Sequence, residues 1–224
     1  MPTTNPDLND RKALELFQTH PGSATGPTSV LANVTLYRIS AIAGFGAAAI
    51  LLVNAAKRSG VIATTDLTQL LAPVAEIMAL GLVIGLFLAF GRRAGFFGTI
   101  AFVLHFISLA SLEGVEVVIN MVFSKLPMET IAALRAGPLG LVLTISSSLF
   151  LFSTLAFVIS LAIGKNVPRL PLVLYGVGAL PIALRAFVPE LALDLGLVLL
   201  AVGVAWLAGW LWVRAATTVE VTAA

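Results

Sequence analysis

The chain has 224 residues, 59% of them hydrophobic and only 11% charged, whereas ordinary soluble domains carry about a quarter charged residues. A formal net charge of +2 supplies no basic surface for nucleic acid, and the absence of cysteine removes disulfides, thiolate metal sites and cysteine nucleophiles together. With a mean hydropathy of +1.04, the bilayer is the solvent that can take up so much apolar surface.

Residues 1–33 read as a polar cytoplasmic tail with no apolar run of the signal-peptide kind, so the first span is expected to act as an uncleaved anchor. Asn5-Pro6-Asp7 has the chemistry of a helix start. A short helix over 5–19, on the membrane surface or solvated, would then lead into the linker Pro21-Gly22-Ser23-Ala24-Thr25-Gly26-Pro27.

A helix crosses the hydrocarbon in about 20 mostly apolar residues. The segments 34–54, 69–90, 96–123, 138–164, 170–188 and 191–213 meet that requirement, leaving 214–224 as a second cytoplasmic tail. The fold class expected is an all-α integral membrane bundle of six transmembrane helices, N-in and C-in. Pro181 should kink the fifth segment, because it removes a backbone donor. Short connections make helices 2/3, 4/5 and 5/6 antiparallel neighbours.

Basic residues in short loops stay cytoplasmic. This orientation puts Arg11, Lys12, Arg38, Arg92, Arg93, Lys165, Arg169 and Arg214 inside, and Lys57, Arg58, Lys125 and Arg135 outside. Trp206, Trp210 and Trp212 suit an aromatic belt at the inner end of the last span. Small residues four apart, Ala43/Ala47, Gly44/Ala48 and Gly81/Gly85, allow close helix approach, read here as packing within the chain rather than between copies.

Ionisable groups within the spans are costly to insert and so carry the functional question. On the third span, counting about 100° per residue from His105, Glu116 falls at about 20°, Asn120 at about 60° and Glu113 at about 80°. One face carries all four. Counting about 1.5 Å of rise per residue from the helix midpoints, Glu113 and Glu76 lie roughly 5 Å to the outer side, Arg185 roughly 9 Å, Glu116 roughly 10 Å and Asp194 roughly 12 Å. Glu76, His105, Glu113, Glu116 and Asn120 are therefore the candidate ligand- or cation-binding residues, in a pocket shared by Glu76, Glu113 and Glu116. Arg185 with Asp194 or Glu116 is the candidate structural ion pair. Four acids around a single arginine imply a surplus of negative charge. Ser146-Ser147-Ser148 and Ser153-Thr154 are expected to bond back to their own preceding turn.

No Gly-x-Ser-x-Gly, His-Glu-x-x-His or phosphate loop is present. The expected function is a non-catalytic ligand-binding or accessory membrane subunit with an outward-facing acidic pocket. The alternatives are a small cation- or proton-coupled transporter and a metal-dependent intramembrane hydrolase built on His105 and the carboxylates. No cofactor is expected, the metal question stays open, and the expected partners are membrane lipid, another membrane protein or a second copy of the chain.

Leu36-Tyr37-Arg38-Ile39-Ser40-Ala41-Ile42-Ala43-Gly44, the turn Gly91-Arg92-Arg93-Ala94-Gly95-Phe96-Phe97-Gly98 and the run Lys165-Asn166-Val167-Pro168-Arg169-Leu170-Pro171 resemble small bacterial multi-pass families of the DUF4386 type. The resemblance implies a bacterial plasma (inner) membrane and transfers no site residue.

Overall fold

The computed structural model describes residues 27–164 and 167–223. The expected surface helix over 5–19 lies outside the described residues, as does Lys165-Asn166. Among the described residues the chain is all-helical: α1 (Pro27–Arg58), α2 (Asp66–Phe90), α3 (Gly95–Val117), α4 (Met128–Ala136), α5 (Pro138–Ile163), α6 (Arg169–Ala183) and α7 (Glu190–Ala223). Five of these, α1, α2, α3, α5 and α7, are long and apolar enough to cross a membrane; α6 is a shorter apolar helix.

Local chemistry sets the boundaries. Thr65 caps α2 through a reciprocal pair of bonds with Thr68, and Pro138 opens α5 where a missing N–H costs nothing. Helix α6 stops at Ala183, two residues beyond Pro181, and the chain turns through 184–187 rather than continuing to 188 as the apolar run suggests. Fifteen residues give α6 a length of about 22 Å. Helix α1 begins earlier and ends later than its apolar stretch, and α7 runs on through the segment expected to be a tail. After α3 the helix widens into a π turn over Val118–Val122, followed by a 3-10 turn over Phe123–Lys125. The short α4, absent from the sequence reading, fills the connection between α3 and α5.

The packing closes a ring in the order α1, α2, α3, α5, α6, α7 and back to α1. Its tight seams need glycine. A methyl on Gly44 would lie 2.8 Å from that of Ala208, across the α1–α7 seam, and one on Gly178 would strike the backbone nitrogen of Leu200 where α6 crosses α7. The spaced small residues of α1 and α2 thus serve contacts inside the chain: Gly81 faces Ala43, and Gly85 faces Ser40 and Leu211.

The two ends of the ring differ. At the end bearing the 91–94 turn, Phe90 packs on Trp210 with ring centroids 4.2 Å apart, and the Arg38 guanidinium lies 5.5 Å from the centroid of Trp212. The opposite end holds the 59–65, 123–137 and 184–189 connections and most of the described ionic groups.

Candidate functional site

A cavity of about 360 Å³ occupies the axis of the ring, with walls from all six packed helices. That volume admits on the order of ten waters. It reaches the surface beside the exposed Thr64, at the 59–65 end, and runs down to Phe150, Tyr175, Leu200 and Val204. The upper wall carries most of the charge, and the deeper walls are mainly apolar, with Glu76 and Tyr175 as their polar groups.

The charged wall is a bonded network. On the last turns of α1, the Lys57 ammonium donates to Gln69 Oε1 at 2.9 Å and to Asn120 Oδ1 at 3.0 Å. Asn120 in turn donates to the Glu116 carboxylate at 2.8 Å and to its backbone oxygen at 3.0 Å. Glu116 also receives Arg185 at 3.2 Å. The π turn holds Asn120 in this position, since it resets the helical phase just beyond Val117. Arg58 pairs with Glu190 and lies 3.3 Å from Asp194 Oδ1, within ion-pair distance but out of line for a hydrogen bond.

These partners change the expected charge balance. Three cations, Lys57, Arg58 and Arg185, line the cavity with Glu76 and Glu116, so the surplus of acid around one arginine is not what the fold builds. Helix α1 runs four residues past the apolar stretch that ends at 54, and its long basic side chains therefore reach into the cavity rather than into a loop. Arg185 meets Glu116; Asp194 meets Arg58 instead of Arg185.

Two polar groups on the cavity wall are unmatched. Among the described residues Glu76 has no hydrogen bond or ion pair, and Asn54 Oδ1 is buried without a partner. Glu113 is half-buried and is not among the lining residues. By helical geometry it lies about 60° beyond Glu116, on the flank away from α5.

His105 is separate from this site. It is fully buried behind the cavity floor, with Nε2 2.9 Å from the Tyr175 hydroxyl and Nδ1 3.3 Å from Ser153. Ser108 and Thr154 each approach Nδ1 to 3.5 Å, and Phe157 stacks on the ring at 5.0 Å. Ser148 bonds back to Thr144 as expected, but Ser153 also crosses to Ser108 at 2.7 Å. No group of three His, Asp or Glu converges as a metal site among the described residues.

Six polar wall residues were not read as site residues from the sequence: Asn54, Lys57, Arg58, Thr64, Gln69 and Tyr175. A signal existed for the first two, because an amide in a span followed three residues later by a lysine marks one helix face. Tyr175 gave only a single aromatic hydroxyl in an apolar run. No protein-family model matches the chain, and no curated protein or solved structure matches it either.

Proposed function

We propose that the chain is a non-catalytic ligand-binding or accessory membrane protein of six spans, N-in and C-in, whose axial cavity takes a small amphiphile from the outer side of a bacterial plasma membrane. The single observation that carries the reading is the two-part cavity: hydrogen-bond donors and both signs of charge near the mouth, and mainly apolar and aromatic walls deeper down, where Glu76 and the Tyr175 hydroxyl are the polar groups. Such a site orients a polar head outward and buries a short apolar tail, as ligand pockets in general combine apolar walls with a few placed polar groups. Helix α6, completed by the 184–189 turns, supplies the sixth span.

The orientation is supported by where the basic groups go. Lys57, Arg58 and Lys125 each have partners in the fold, which reduces their weight as free loop charges, whereas Arg92, Arg93 and Arg169 sit at the opposite, tightly turned end. The DUF4386-type resemblance supports the choice of membrane.

Native mass spectrometry of protein extracted with its own lipids tests this. A small amphiphile of one mass should accompany the protein and be lost in Ala75→Phe, which fills the cavity. The unpartnered Glu76 carboxylate favours a second reading, a cation- or proton-coupled carrier. Ion flux in proteoliposomes, abolished in Glu76→Gln and Glu116→Gln, would select the carrier and reject the accessory role.

A further inference from the structure

A second cavity, of about 220 Å³, lies between α3, α5 and the chain that follows α6. Among the described residues its lining contains two guanidiniums, Arg135 and Arg185, and no acid, unlike the axial cavity, where both signs occur. Arg135 has no ion pair or hydrogen bond among the described residues, although Lys57, Arg58, Lys125 and Arg185 at the same end are all partnered. Arg185 uses one terminal nitrogen on Glu116 and keeps its other donors. Between the arginines the lining adds the Ser147 hydroxyl, which has no partner among the described residues, and the start of α5 at Gly140, the positive end of that helix dipole.

The other walls are apolar and lead outward. Leu151 and Leu184 continue to Phe187, 86% exposed, and the neighbouring α5 surface presents Leu141, Ile145 and Phe152. In a membrane protein these exposed apolar side chains face lipid. A free anion would satisfy the arginines and leave this apolar ramp unused; an anionic lipid would use both.

We propose that the second cavity binds the phosphate group of an anionic phospholipid, with Arg135 and Arg185 bracketing the phosphate and the acyl chains lying over Leu151 and Phe187. Basic recesses between membrane helices recognise lipid headgroups by this charge logic, and guanidinium donors match phosphate oxygens in pairs. Arg185 also lines the axial cavity and holds Glu116, so one arginine borders both sites.

Delipidated protein in detergent, titrated with phosphatidylglycerol, phosphatidylcholine or inorganic phosphate and read by native mass spectrometry, provides the test. Phosphatidylglycerol should be retained about tenfold over phosphatidylcholine. Arg135→Gln should abolish that preference with an unchanged melting temperature, while Lys125→Gln, at the same end but outside the cavity, should preserve it. Equal retention of the two lipids, or an unaltered preference in Arg135→Gln, overturns the site. Inorganic phosphate that displaces phosphatidylglycerol at equal concentration overturns its assignment to a lipid.

Discussion

Helix α3 carries two polar clusters about 16 Å apart along its axis, and they answer the cost of polarity in a membrane in different ways. Around His105 every ring nitrogen finds a hydroxyl, aromatic rings cover the faces, and nothing is exposed. Around Glu116 the partners are charged, the groups border a cavity, and Glu76 and Asn54 stay unmatched. A satisfied buried cluster specifies packing; a cluster with spare valence beside a void is equipped for a ligand. Position on a common helix face does not separate the two, but closure does.

The largest effect should come from breaking the closed cluster. His105→Leu removes the ring that joins the Tyr175 hydroxyl to Ser153 and leaves a poorly filled space between α3, α5 and α6, for an expected loss of about 3 kcal/mol. Thermal unfolding in detergent should show it, and an unchanged midpoint would erase the distinction between the clusters. In the open cluster, Arg185→Gln should cost about 1 kcal/mol, because both partners remain partly accessible to water. Combining it with Glu116→Gln should return much of that loss, which a double-mutant cycle would measure.

Smaller still is the effect expected of Glu76→Gln. With no partner to lose, it should move stability by no more than about 0.5 kcal/mol while changing ligand or ion behaviour. A loss as large as that of His105→Leu would mean that Glu76 is structural. Lys125→Ala should leave the melting temperature unchanged, since its pair with Asp66 is open to solvent on both sides.

Much of the fold was legible because hydrocarbon imposes one rule on long segments: apolar length and internally bonded backbone. The five long helices and the tight glycine contacts of α1 and α2 follow from it. The sixth apolar segment was legible as a run but not in extent, because hydropathy is blind to the turns after Pro181. The site was legible in part. Glu116 and Asn120 share a face by uniform helical counting, yet what joins them to Lys57 is a π turn that such counting omits. Lys57 and Arg58 look like loop charges until α1 is seen to extend under them. The His105 cage depends on which helix faces α3, and sequence spacing gives α2 as a neighbour without giving α5 and α6.

The axial cavity opens to water at the 59–65 end, while the His105 cluster is sealed. Because the chain has no cysteine, single-cysteine variants report on that difference without background. Gln69→Cys places a half-exposed thiol on the cavity wall and Ser108→Cys places one in the sealed cluster. With a membrane-impermeant thiol reagent, Gln69→Cys should be modified in intact cells and Ser108→Cys should stay unmodified even in opened membranes. Protection of Gln69→Cys in opened membranes, or modification of both thiols at the same rate, would refute this difference.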